Sequence, residues 1–278
     1  MNLSRRGALS TLAAAALAGP AFAEEGLFTR GRLVQGGTMI GRAAPGAAMT
    51  LDGKDVGLSG AGGWFVIGFD RDAAASAVFE TQLAAGPVRR DLAITPGTFV
   101  EQRIDGLPED QVAPTDPALL ERIKRETALK AEAFASRAEL EGFAEGFIWP
   151  LKDFKISSPW GVRRILNGEP KTPHYGIDLA APTGTPIHAP APGLVVLAEP
   201  HLHFEGGLTL IDHGQGLISM YLHQSKQVVA KGQRVERDQL IGEVGQTGRA
   251  TGPHLCWRMK WRGRNCDPSL LVDAPKAA

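Results

Sequence analysis

Glycine and proline punctuation constrains this chain more than any other feature. Between residues 27 and 105, short apolar runs are cut by glycine-rich turns, as in GRLVQGGTMIGRAAPGAAMTLDGKDVGLSGAGGWFVIGFD. Runs this short suit strands, and turn signals recurring about every ten residues predict a small β-sandwich over 24–108. That stretch holds no histidine and no cysteine, so it reads as a spacer or binding module.

The punctuation relaxes over DPALLERIKRETALKAEAFASRAELEGFAEG, Asp116 to Gly146. Leu120, Ile123, Thr127, Ala131, Phe134 and Ala138 recur at helical spacing, and Asp116-Pro117 is a helix start. Glu121–Arg125 and Glu126–Lys130 are the expected i,i+4 pairs. A linker helix packed on its neighbours is therefore predicted within 109–146. From Phe147 the glycines and prolines return, as in GTPIHAPAPGLVVLAE, GGLTLIDHG, GLISMYLHQS and PHLCWRMKW. A compact domain of antiparallel strands over 147–273 is expected, which makes the chain mainly β.

The first 23 residues are read as an export signal. Arg5 and Arg6 precede the apolar stretch Ala8–Leu17, and AFA at Ala21–Ala23 offers a small-residue cleavage site. SRRGAL also has the form of a twin-arginine signal. The mature chain is expected to work outside the cytoplasm, in a bacterial periplasm. No other stretch approaches the roughly 20 apolar residues of a membrane span, so an integral membrane protein is not expected. The whole chain has 30 basic and 30 acidic residues. Losing the two leader arginines leaves it slightly acidic, which removes the electrostatic case for binding nucleic acid.

All seven histidines fall between His174 and His254. Such segregation points to a site in the C-terminal domain. His174 and Asp178 are four apart, and His254 and Cys256 two apart, so each pair shares a face in extended chain. In GLISMYLHQS, alternation sets Leu217, Ser219, Tyr221 and His223 opposite a buried face of Ile218, Met220 and Leu222. His223 should thus point away from the core. Imidazole, carboxylate and thiolate all ligate zinc, and a catalytic zinc site uses three protein ligands plus water. His188, His201, His203, His213 and Arg163 are assigned structural or surface roles. Cys256 and Cys266 flank an expected turn at Arg262–Asn265. On that hairpin they stand too far apart for a disulfide, which needs Cα atoms within about 7 Å.

Residues 147–272 resemble the lysostaphin-type zinc endopeptidases of peptidoglycan, the LytM domains. The resemblance is carried by SSPWGVRRILNGEP, HYGIDLAAPTGTPIHAPAPGLV, LIDHGQGLISMYLH, KGQRVERDQLIGEVGQTGRATGPHL and DPSLL. It implies an antiparallel β-sheet domain of the duplicated-hybrid-motif kind, one Zn²⁺ and peptidoglycan peptide stems as substrate. The H-x-x-x-D motif implies His174 and Asp178 as metal ligands. The third ligand, the second histidine of an H-x-H motif, falls on Cys256. The catalytic histidines fall on His223 and His254. The resemblance also admits a non-catalytic regulator that activates a cell-wall amidase or division partner.

Overall fold

Strands form where glycine and proline bound the apolar runs. The structure is a computed structural model describing residues 27–275; the expected leader lies outside the described residues. β1 (Phe28–Gly31), β2 (Thr38–Arg42), β3 (Ala48–Leu51), β4 (Lys54–Leu58), β5 (Trp64–Gly68), β6 (Ser76–Leu83) and β7 (Gly86–Ala93) build two sheets, ordered β1-β2-β5 and β4-β3-β6-β7. Ile40, Phe65 and Ile67 of one sheet and Met49, Leu51 and Phe79 of the other share one core. Phe65 stacks on Phe79 with centroids 5.0 Å apart. This is the expected sandwich.

The chain then leaves the sandwich. β8 (Glu101–Ile104) pairs in parallel with the stretch Arg163–Leu166 of the second half, followed by the short α1 (Glu109–Val112) and the long α2 (Pro117–Phe134). Asp116 caps α2 by accepting from Leu119 N at 2.7 Å, which satisfies one of the orphan amides of a first turn. The face α2 buries matches the predicted stripe only in part: Phe134 packs as expected, but Thr127 and Ala131 are exposed. Leu120 is 45% exposed, whereas Leu129, Ala133 and Phe134 pack on the sheet beneath. Neither predicted ion pair forms: Glu126 binds Arg122 at 2.7 Å and Lys130 reaches across to Glu205. Glu121 and Glu126 thus take other helix neighbours, Lys124 and Arg122, and of these groups only Lys130 takes an ion partner outside the helix.

The second half contains β9 (Lys155–Ser158), β10 (Arg163–Leu166), β11 (Glu169–Pro170), β12 (Gly176–Ala180), β13 (Pro186–His188), β14 (Gly193–Leu202) and β15 (Gly206–Asp212). It continues with β16 (Leu217–Gln224), β17 (Lys226–Gln227), β18 (Arg234–Val235), β19 (Leu240–Glu243), β20 (His254–Trp261) and β21 (Arg264–Cys266). The main sheet runs β18-β14-β15-β16-β20-β12-β9, with β21 beside β20. A small sheet, β13-β19-β17, packs on one face over Ile177, Leu179, Tyr221 and Trp257. α2 covers the other face over Leu208, Leu210, Met220 and Leu222. Every residue of β15 and β16 is buried. The expectation of one open face on β16 is therefore corrected, because helix and small sheet cover both sides.

The turn between β20 and β21 is tighter than expected. Arg262 (φ 45°) and Gly263 (φ 87°) form the bend and pairing resumes at Trp261↔Arg264, the left-handed two-residue turn that matches strand twist. Cys266 lies opposite Met259 and packs with Trp261 against the sandwich core, while Cys256 packs under α2. The two cysteines thus occupy opposite faces of one hairpin, and both are free.

Candidate metal centre

β12 and β20 set the site. Their register places Asp178 directly opposite Cys256, Ala180 opposite His254 and Gly176 opposite Arg258. Alternation then sends Leu255, Trp257, Met259 and Trp261 into the cores and turns His254, Cys256 and Arg258 to the other face. His174 precedes β12 and is fixed by a bridge to Val162, its amide donating to Val162 O at 2.8 Å.

The donor atoms of His174, Asp178 and Cys256 converge within 4.8 Å of one another, and all three residues are buried. His174 Nε2 is 3.2 Å from Cys256 Sγ and 3.1 Å from Asp178 Oδ1. Ligands around one tetrahedral Zn²⁺ sit roughly 3.2–3.8 Å apart, given metal–ligand distances of about 2.0–2.3 Å. Asp178 Oδ1 is buried with no hydrogen-bond partner, an orphaned acceptor that a cation would satisfy. The donor set and the orphaned oxygen fit a zinc ion.

Each ligand has an outer partner that aims it. Ser158 Oγ lies 3.4 Å from His174 Nδ1 and itself donates to Gln102 Oε1 at 3.2 Å. This keeps the Nδ1 proton outward and leaves Nε2 free. Arg164 donates to Asp178 Oδ2 at 3.1 Å, and Arg258 Nε donates to Cys256 Sγ at 3.2 Å. Burial would raise the Asp178 carboxyl, but His174, His254 and Arg164 outweigh it and hold the group below the usual carboxylate range. Burial lowers His174 to about 4 against the pull of Asp178. It also pushes the Cys256 thiol up to about 12 against the pull of Arg258. In the metal-free pocket, then, the imidazole is neutral and the sulfur keeps its proton. A bound Zn²⁺ deprotonates a coordinating thiol outright.

His223 and His254 stand beside this cluster with ring centroids 4.7 Å apart. His223 Nδ1 donates to Thr247 O and His254 Nδ1 to Gly252 O, each at 2.8 Å. Both Nε2 atoms are left as acceptors, and that of His254 lies 3.7 Å from Asp178 Oδ1. Burial and the neighbouring His254 depress His223 to about 3.

Alternation put His223 on the wrong face. Leu222, opposite Cys256, already points to the site side, so a regular strand would turn His223 away. Instead, β16 fits the three steps from Tyr221 to Gln224 against two steps of β15. The extra residue is a β-bulge. His223 absorbs it at φ 66°, and its ring joins the wall of the metal pocket.

The other histidines stay outside the cluster. His213 is fully buried, donating from Nδ1 to Pro192 O at 2.8 Å while Nε2 lies 2.7 Å from Ser219 Oγ. His203 Nε2 is 3.2 Å from Asp110 O. Arg163 is exposed and its neighbour Arg164 is the one that enters. Sequence reasoning missed Arg164, Arg258 and Ser158. For Arg258 the signal was present, since it shares the alternation of His254 and Cys256.

The cluster lies in a cleft of about 330 Å³. Gln102, Ile104, Leu107, Phe204, Glu205 and Arg249 are among its lining residues. Leu107 exchanges two hydrogen bonds with Asn167, while Gln111 O accepts from Arg249 at 2.9 Å. Residues 107–111 are therefore held to Asn167 and to Arg249, one of the cleft's lining residues.

The model of Peptidase family M23 matches residues 172–268. The peptidoglycan DD-endopeptidase ShyA of Vibrio cholerae is 44% identical over 126 residues, 45% of this chain and 29% of ShyA. The DD-carboxypeptidase/endopeptidase Mpg of Neisseria meningitidis is 37% identical over 130 residues, 46% of this chain and 30% of Mpg. The matched stretch is thus less than a third of either curated relative. A crystal structure of a Pseudomonas aeruginosa protein described as an M23 peptidase superposes with a TM-score of 0.65 at 32% identity. That match covers 86% of this chain and 95% of the other. On this extent of shared sequence and fold, the chain belongs to peptidase family M23.

Proposed function

We propose that this chain is a periplasmic zinc endopeptidase that hydrolyses peptide cross-links of peptidoglycan. One observation carries the reading: His174 Nε2, Asp178 Oδ1 and Cys256 Sγ converge in a buried pocket with an unsatisfied oxygen among them. His174, Asp178 and Cys256 would hold the ion, which when bound supplies a water of lowered pKa and polarises a peptide carbonyl.

The chain's own groups do the rest. His223 and His254 are anchored through Nδ1 to backbone carbonyls, which leaves two Nε2 lone pairs facing the cleft. One Nε2 takes the proton of the attacking water, and the imidazolium so formed returns that proton to the departing amine; the other ring stabilises the developing charge when a proton is on its Nε2. Two anionic ligands beside one dication make the site formally neutral, an electronically softer centre than one with two histidines and one carboxylate. Peptidoglycan as substrate, with D-amino-acid cross-links as its target, is supported by the names of the relatives ShyA and Mpg. The export-signal pattern of residues 1–23 supports the location.

The competing reading is a non-catalytic activator of a cell-wall amidase, docking through the helical segment. Against it, α2 is already packed onto the sheet through Leu129, Ala133 and Phe134. The four positions His174, Asp178, His223 and His254 also all carry chemically competent groups. The deciding measurements are zinc per mole of protein purified without added metal, then digestion of sacculi. One zinc per chain is expected, with soluble muropeptides released by the wild type and by Cys256→His and none by His174→Ala. Release by Cys256→His alone would favour the activator.

A further inference from the structure

A thiolate in place of a neutral imidazole creates a charge problem at the third ligand, and the structure holds a group suited to solving it. Arg258 is two residues beyond Cys256 on the same face of β20 and directly opposite Gly176. Gly176 has no side chain, and a Cβ there would lie 2.6 Å from Cys256 Sγ, 2.8 Å from Arg258 Cγ and 3.1 Å from Arg258 Nε. The stem of Arg258 fills that vacated space, and its Nε–H ends 3.2 Å from the sulfur. Glu205, the nearby acid that could compete for this guanidinium, is engaged by Lys130 of α2.

The result is a symmetry of partners. Asp178 is backed by Arg164 and Cys256 by Arg258, so each anionic ligand has its own guanidinium. A ligand's outer hydrogen bond fixes the direction of its lone pairs and tunes its electron donation. A neutral imidazole at position 256 would gain nothing from a cation at its back.

We propose that Arg258 is the positioning residue that lets sulfur serve as the third metal ligand: it orients Cys256 Sγ toward the ion and balances the thiolate's charge. This rests on the zinc reading above. Arg258 acts through Cys256 rather than on substrate.

The test is metal affinity, with and without the sulfur. Zinc affinity is measured by competition with a chromophoric chelator for wild type, Arg258→Met and Arg258→Lys, and for Arg258→Met in a Cys256→His background. Circular dichroism confirms folding of each. Arg258→Met should weaken zinc binding about 10- to 100-fold, the range for loss of an outer-shell partner. Arg258→Lys should recover part of it. In the Cys256→His background, Arg258→Met should leave affinity unchanged or improve it. Cobalt-loaded protein gives a second readout, since the sulfur-to-cobalt charge-transfer band should weaken or shift in Arg258→Met. Wild-type affinity in Arg258→Met, or equal losses in both backgrounds, would overturn the role of Arg258 while leaving the zinc site standing. Failure of wild type to bind any zinc would overturn the zinc reading and this inference with it.

Discussion

His223 sits at φ 66° inside a buried strand, a backbone region that costs an L residue roughly 1–2 kcal/mol. Non-glycine residues held there cluster at functional sites because the surrounding structure over-determines them. Here the bulge delivers an imidazole to the pocket face that regular pairing would deny it. The strain can be measured directly. His223→Gly and His223→Ala both remove the ring, so their difference isolates the Cβ. The glycine variant should be the more stable by about 1 kcal/mol in urea unfolding, opposite to the usual order of these residues. An alanine variant at least as stable would mean the bulge relaxes. The choice of histidine here was legible from the resemblance. The bulge was not, because it arises from register against β15, which a single strand's pattern does not contain.

Among the elements, β20 obeys its sequence most closely. Strict alternation separates the ligand row from the Trp257 and Trp261 row, so one strand serves the site and the core together. β12 contributes differently, through what it lacks. Gly176 leaves room for both Cys256 Sγ and Arg258, and Gly176→Ala would force its methyl to 2.6 Å from the sulfur. Overpacking of this kind typically costs 1–3 kcal/mol. We expect Gly176→Ala to lose zinc affinity as well as thermal stability, read by chelator competition and calorimetry. Undiminished affinity would show that sulfur and guanidinium can move aside freely. α2 shows the opposite case. Its existence and cap were readable from Asp116-Pro117, but of its buried stripe only Phe134 was. Lys130 and Glu126 turned toward the sheet to meet Glu205 and the amide of His203. The helix face is thus set by its contacts with the sheet, apolar through Leu129 and Ala133 and polar through Lys130 and Glu126.

Across the molecule, sandwich and peptidase unit share buried material. Trp261, Met259, Leu217 and Cys266 join the cluster of Phe65 and Phe79, and Gln215 bonds β5 at both Val66 N and Trp64 O. β8 belongs by sequence to the first unit, yet it pairs with β10, and its Gln102 accepts from Ser158. The burial of histidines gives the whole fold an acid limit. His174 and His213 are lowered to about 4 and His223 to about 3, from 6.5, chiefly by desolvation. As pH falls through 6.5 the unfolded chain takes up protons that the folded chain refuses, so stability falls, by about 1.4 kcal/mol per unit of difference for each group. Above about pH 7 these groups are neutral in both states and contribute no slope. The Tm of chelator-stripped protein should be level at about pH 7 to 8, fall above about 9, where the unfolded chain loses thiol protons that buried Cys256 and Cys266 keep, and drop steeply between 6.5 and 4. A level Tm across that window would show that the three rings are hydrated in solution.

The sequence by itself determined the mainly β architecture, the helix between two β units, the facing of His254 with Cys256, and the absence of a disulfide. These follow from local chemistry: turn residues, strand alternation and the reach of a hairpin. Tertiary structure alone decided the bulge that turns His223 inward, the rotation of α2 that buries Leu129 and Ala133 rather than Leu120, and the choice of Arg164 over Arg163. It also brought Arg258 to the sulfur across a glycine on another strand. Each depends on what lies opposite a residue in space, and register between strands distant in sequence is set by packing of the whole fold.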